Sequence, residues 1–150
     1  ARAEMMLVCT YGCNDIYSLG NSQSGWPCHG MEHALSAYYD ITHGEGLAII
    51  TPRWMKHILS DKTVDRFVKY GVNVFGIDSN LDKMEIANKA IEETYKFYES
   101  INIPMHLKDV GIDESRIETM AKHVADNEGL ENAWAPLLQE DIAAIFRASL

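Results

Sequence analysis

The chain is predicted to be all-α, a helical bundle without a sheet. Apolar residues recur at three- and four-residue steps, as in Met84, Ala87, Ile91, Tyr95 and Tyr98, which is the period of one helix face. Start and stop signals fall at helix-length intervals: Pro27, Thr42, Ser79 and Asp113 as starts, Gly76 and Gly129 as stops. No segment alternates apolar and polar residues as a half-buried strand would.

Taken in order, Glu4 to Leu19 is dense in apolar positions (Met5, Met6, Val8, Cys9, Tyr11, Ile16, Tyr17), the composition of a buried central helix softened at Gly12. Gly20 to Gly25 is a loop of turn residues. Pro27 opens the next helix, because a first-turn position has no N–H bond to lose. That helix reaches Tyr39 and packs through Met31, Leu35 and Tyr38. Thr42 reads as an N-cap with Glu45 completing a capping box, and the helix it starts runs to Leu59. Pro52 predicts a bend or short break near Ile50–Pro52. Trp54 fills core there.

Lys62 to Phe75 turns Val64, Phe67, Val68, Val72 and Phe75 inward and stops at Gly76. Ser79 caps a long helix whose outer face carries Lys83, Glu92, Glu93, Lys96 and Glu99, a solvated surface. Asn102 to Ile112 is a loop, and Asp113 caps a helix packing Ile117, Met120, Ala121 and Val124. Leu130 to Pro136 is irregular. Gln139 to Ala148 is a last amphipathic helix using Ile142, Ile145 and Phe146.

At 150 residues the chain fits one domain with a real core. Thirteen basic against twenty-two acidic residues give a net charge of −9, which disfavours nucleic acid and anionic membrane surfaces as partners. No apolar run approaches the ~20 residues of a membrane span, and no secretory leader of the charged-then-apolar kind is expected. Three cysteines, Cys9, Cys13 and Cys28, form no even framework and fit a reducing cytoplasm. Cys9 and Cys13 are expected to be small core residues. Cys28, beside His29, is read as first-turn packing rather than as a ligand, since adjacent helical residues point about 100° apart.

The chemistry concentrates between Trp26 and Ile50. His29 and His33 are four apart and share one helical face. His43 follows the break after Asp40, so a helix–turn–helix can bring it back against that face, and Gly44 and Gly46 allow close approach. Imidazoles converging from two elements suit a transition metal. Histidines at this spacing also occur as core residues or on exposed helix faces. His57, His106 and His123 are scattered and structural or exposed.

The segment from His29 to His33 also reads H-x-x-E-H, the short signature of an inverted zinc-protease motif with Glu32 as base. It would need a third ligand such as Glu92, Glu93 or Glu99, and it leaves His43 and its glycines unexplained. A helical interaction module without catalysis is a further alternative.

The whole run follows W-x-x-H-x-x-x-H-x-L-S-A-x-Y-D-I-T-H-G-x-G-L-A-I and continues into Thr51-Pro52-Arg53-Trp54-Met55-Lys56. It resembles the second signature of the iron-containing (group III) alcohol dehydrogenases, and most of all their NADH-dependent butanol dehydrogenase branch. The likeness extends through Val74-Phe75-Gly76-Ile77-Asp78 to the terminal Ile145-Phe146-Arg147-Ala148-Ser149-Leu150.

The resemblance implies that residues 1–150 are the helical, metal-binding C-terminal domain, with a dehydroquinate synthase-like α fold. The N-terminal α/β domain that binds NAD(P)H is expected to lie outside this chain, which carries no glycine-rich strand-to-helix phosphate loop. Carried over residue by residue, two metal ligands fall on His29 and His43, while His33 matches a histidine lining the cleft near the reacting carbon. The implied metal is divalent, iron or else zinc. The implied substrates are small alcohols and aldehydes, and a homodimer is the implied assembly. The family takes two further ligands, an Asp and a His, from a helix upstream, so the isolated chain is expected to be inactive.

Overall fold

The three- and four-residue apolar steps become helices almost wherever they occur. The computed structural model describes residues 1–14, 16, 19 and 25–150, and no strand occurs among them. Seven α-helices follow in order: α1 (Arg2–Cys13), α2 (Pro27–Tyr39), α3 (His43–Ile58), α4 (Val64–Phe75), α5 (Lys83–Ser100), α6 (Ile117–Asn127) and α7 (Gln139–Ala148). Short 3₁₀ turns lead into and out of α6. The expected loop from Gly20 lies mostly outside the described residues.

The centre of the bundle is α3. It packs against α2, α5 and α7, while α4 pairs with α5, and α6 with both α2 and α7. Ala48, Ile49, Ile50, Pro52, Met55 and Ile58 bury its inner face. Around it Met31 and Leu35 of α2, Met120 of α6 and Ile142 and Phe146 of α7 are sealed from solvent. Fully burying each such side chain contributes about 1.5–3 kcal/mol.

The segment expected to be central is not. No residue of α1 is buried, and Met5, Met6, Leu7 and Val8 are each more than half exposed. Cys9 and Cys13, expected in the core, are exposed with them. Apolar density marks a surface that gains from being covered, but it does not name what covers it. In this chain the core closes around α3 without α1.

Three local expectations are also corrected. Pro52 does not break α3, which is continuous from His43 to Ile58. The ladder interrupted by the missing N–H is flanked by side-chain donors, Thr51 Oγ1 to the Leu47 carbonyl and Arg53 to the Ile49 carbonyl. The long helix begins after Asp82 rather than Ser79. The Asp82 carboxylate accepts from the N–H groups of Met84 and Glu85, satisfying two of the free donors of the first turn. Thr42 does stand at the N-cap of α3, but its side chain makes no capping bond. By contrast, Gly76 ends α4 as expected. Its φ of 67° is left-handed, and the N–H groups of Gly76 and Ile77 return to Val72 and Gly71, a C-cap that a side chain would strain.

Phe146 is fully buried where α7 meets the core. Phe146→Ala is expected to cost about 3–5 kcal/mol of unfolding free energy, measured by urea denaturation. A loss below about 1 kcal/mol would show that α7 is not integral to the core.

Candidate metal centre

The turn between α2 and α3 assembles the site. Asp40 ends α2 in the left-handed conformation, with φ of 53°, and its N–H returns to the Ser36 carbonyl. The chain then extends through Ile41 and Thr42 and enters α3 at His43. This reversal sets the first residue of α3 beside the histidine face of α2. The ring centroids of His29 and His43 lie 5.3 Å apart, those of His33 and His43 5.7 Å, and those of His29 and His33 6.1 Å. Trp26 stands edge-on to His29 at 5.0 Å. Three imidazoles from two helices thus converge, as the sequence spacing predicts.

Beneath them lies Glu32, whose side chain is fully buried. One carboxylate oxygen, Oε2, meets Nδ1 of His43, and the other, Oε1, accepts from the Ser36 hydroxyl. The same hydroxyl is 3.2 Å from the Ile41 carbonyl, which ties the carboxylate to the turn itself. A buried carboxylate is costly unless its oxygens are satisfied, and here both are. Since a carboxylate accepts but does not donate, its contact with His43 places a proton on Nδ1 and leaves Nε2 with the free lone pair.

The approach depends on Gly46. A Cβ built there would meet Glu32 Cγ at 2.7 Å and Glu32 Oε1 at 2.9 Å, distances a real side chain does not tolerate. Gly44, by comparison, has nothing within 4 Å of such a Cβ. Only one of the two glycines is therefore needed for packing inside this chain.

The electrostatics favour a neutral His29. Burial pushes the His29 pKa below its ordinary 6.5, His43 and His33 push it further, and Glu32 partly offsets them. The Cys28 thiol is engaged by Thr51. Burial raises its thiol to about 11, with a hydrogen bond to Thr51 opposing, so it stays protonated. Among the described residues, Glu32, His33 and His43 bring potential ligand atoms within 4.8 Å of one another. His29 joins the cluster through its ring contacts rather than through that grouping.

The protease geometry finds no support. Its base would be Glu32, which is sealed from water with both oxygens engaged. Two of its expected third ligands, Glu92 and Glu93, instead pair with Lys96 on the outer face of α5.

The chain matches the Fe-containing alcohol dehydrogenase family, C-terminal, over residues 1–150. It belongs to that family. It is 48% identical over 150 residues to NADH-dependent butanol dehydrogenase A of Clostridium acetobutylicum, covering 99% of this chain and 38% of that relative. Identity to NADH-dependent butanol dehydrogenase B of the same organism is 42%, covering 100% of this chain and 39% of that relative. The solved structure of NADH-dependent butanol dehydrogenase A from Thermotoga maritima superposes with a TM-score of 0.79 at 32% identity, over 93% of this chain and 36% of that one. The chain therefore spans well under half the length of these dehydrogenases, and its helical fold is that of their C-terminal portion.

The residues present fit the divalent metal that the family name implies. Three converging imidazoles offer donor nitrogens, and the one with a buried carboxylate behind it presents its far nitrogen. The three histidines were legible from spacing. The role of Glu32 was not, although a carboxylate beside Met31, Ala34 and Leu35 on the buried side of a helix was a signal.

Two measurements check these environments. In an NMR titration of the metal-free chain, the His29 ring is expected to titrate below 6.5. Because the folded state then holds that proton less tightly than the unfolded chain, this contribution to stability is complete above 6.5 and is lost as pH falls through the lowered value. A midpoint above 6.5 would contradict the partial burial of His29. Separately, iodoacetamide is expected to label Cys9 and Cys13 in the folded chain and Cys28 only after denaturation. Equal labelling of all three would count against the packing of α2.

Proposed function

We propose that this chain supplies the C-terminal half of the active site of an NAD(P)H-dependent alcohol dehydrogenase. It would interconvert small alcohols and aldehydes of the butanol and butyraldehyde kind in the cytoplasm. The observation that carries the reading is the convergence of His29, His33 and His43 at the α2–α3 turn, within a chain that belongs to this family. The relatives' names supply the substrate class.

In this reading His29 and His43 hold a divalent metal, iron in preference to zinc. An Asp and a His from an upstream helix complete the set, since a catalytic site needs at least three protein ligands. The metal when bound supplies Lewis acidity toward the substrate oxygen. The depressed basicity of His29 keeps its lone pair available near neutral pH. Exposed His33, on the same helical face, exchanges a proton between the substrate oxygen and solvent at its ring nitrogen. Glu32, shut away from water, takes no part in that exchange. The nicotinamide and most of the substrate cleft are assigned to an α/β domain preceding these helices.

The test compares metal content and NAD(P)H-linked butyraldehyde reduction for residues 1–150 and for the upstream-extended protein. Stoichiometric metal and turnover are expected only in the longer form. In that form His29→Ala and His43→Ala should each empty the site and abolish activity. His33→Ala should retain the metal and lower kcat by about 10²–10⁴-fold, the usual worth of a positioned acid–base group. Turnover by the 150 residues alone, or metal retention by both His29→Ala and His43→Ala, would refute the assignment.

A further inference from the structure

Behind His43 stands a carboxylate that is sealed from solvent. Glu32 is a fully buried carboxylate in the first half of α2, on the opposite edge of the His43 ring from the nitrogen available for a ligand. A charge is rarely sealed in a helical core without cause. Its neighbours show how closely it is held. Ser36, one turn on, donates to Oε1, and Gly46 of α3 lies so close that no Cβ could stand between them. Nδ1 of His43 occupies the remaining oxygen. This is a cradle formed by both helices of the reversal, with a single imidazole as its target.

We propose that Glu32 is a positioning residue for the metal centre. By accepting the Nδ1 proton of His43 it selects the tautomer whose Nε2 carries the lone pair, and it locks the ring at the mouth of α3. The inference rests on the assignment of His43 as a ligand and goes beyond it, because Glu32, with both oxygens engaged by Ser36 and His43, is given no place among the ligands. A histidine that donates its second N–H to a carboxylate is both oriented and made a stronger donor. Ser36 completes the arrangement by holding the carboxylate's other oxygen, so that Glu32 cannot swing away from the ring. The H-x-x-E-H spacing thereby acquires a different meaning. Its glutamate serves a histidine eleven residues downstream rather than a water.

The experiment uses the upstream-extended protein and Zn²⁺ alone, competed against a chromophoric chelator. Zn²⁺ affinity is measured for the native protein and for the His43→Ala, Glu32→Ala and Glu32→Gln variants. Glu32→Gln keeps an acceptor oxygen and the side-chain volume, so it guards against a simple folding failure. Glu32→Ala is expected to weaken Zn²⁺ binding by about 10–100-fold, Glu32→Gln by less, and His43→Ala by more than either. Long-range ¹H–¹⁵N correlation on the metal-free proteins should show the Nδ1–H tautomer of His43 in the native protein and in Glu32→Gln, and a mixture in Glu32→Ala. Native affinity and an unchanged tautomer in both Glu32 variants, with His43→Ala impaired, would overturn the proposal and leave the metal assignment standing. Native affinity in His43→Ala would instead overturn the assignment on which it rests.

Discussion

The contact between Glu32 and His43 is the constraint around which the functional end of this domain is arranged. It joins the middle of α2 to the first residue of α3 through a carboxylate that has lost all contact with water. Such a group is destabilising unless every oxygen is matched. The surrounding features follow from that requirement: a serine one turn further along the helix, a left-handed Asp40 that reverses the chain within two residues, and a glycine at the point of closest approach. The same arrangement brings His29, His33 and His43 together on the solvent side. The site is thus supported from below by a polar interaction and presented above by exposed or half-exposed imidazoles.

That support is anchored in turn by the position of α3. Its first residue belongs to the site, and its inner face from Ala48 to Ile58 lies in the core against α2, α5 and α7. At its far end His57 meets Asp141 of α7 at 3.0 Å. A helix held along its length has little freedom to rotate, and the orientation of His43 is inherited from the packing of residues well removed from it. Such placement of a site residue on a rigid, packed element is what precise ligand geometry demands.

The surface of the chain is less resolved in purpose than its core. Ion pairs along α5, such as Lys89 with Glu85 and Lys96 with Glu92, are exposed neighbours on one helix. Solvent-exposed pairs of this kind add little to stability. No described helix is long and apolar enough to cross a membrane. The half-exposed apolar side chains of α1 stand apart from this polar surface, and their burial is not achieved by the helices that follow.

The helical class and the order and approximate ends of most elements were legible in the sequence. So was the meeting of three histidines across a turn. These are local properties: a 3.6-residue period, a proline at a first turn, a glycine after a last one, and histidines spaced by one helical turn. Three matters required the tertiary structure. The choice of α3 over α1 as the central helix depends on which apolar faces find each other, and composition ranks hydrophobicity without naming partners. The continuity of α3 through Pro52 is set by the packing of its buried inner face, on which Pro52 itself lies. The pairing of Glu32 with His43 joins residues on different helices, and only the packed reversal reveals that Glu32 is turned away from water and toward a ring. Sequence periodicity determined the elements and their histidine-bearing face. Long-range packing decided which helix lies at the centre and which carboxylate stands behind the site.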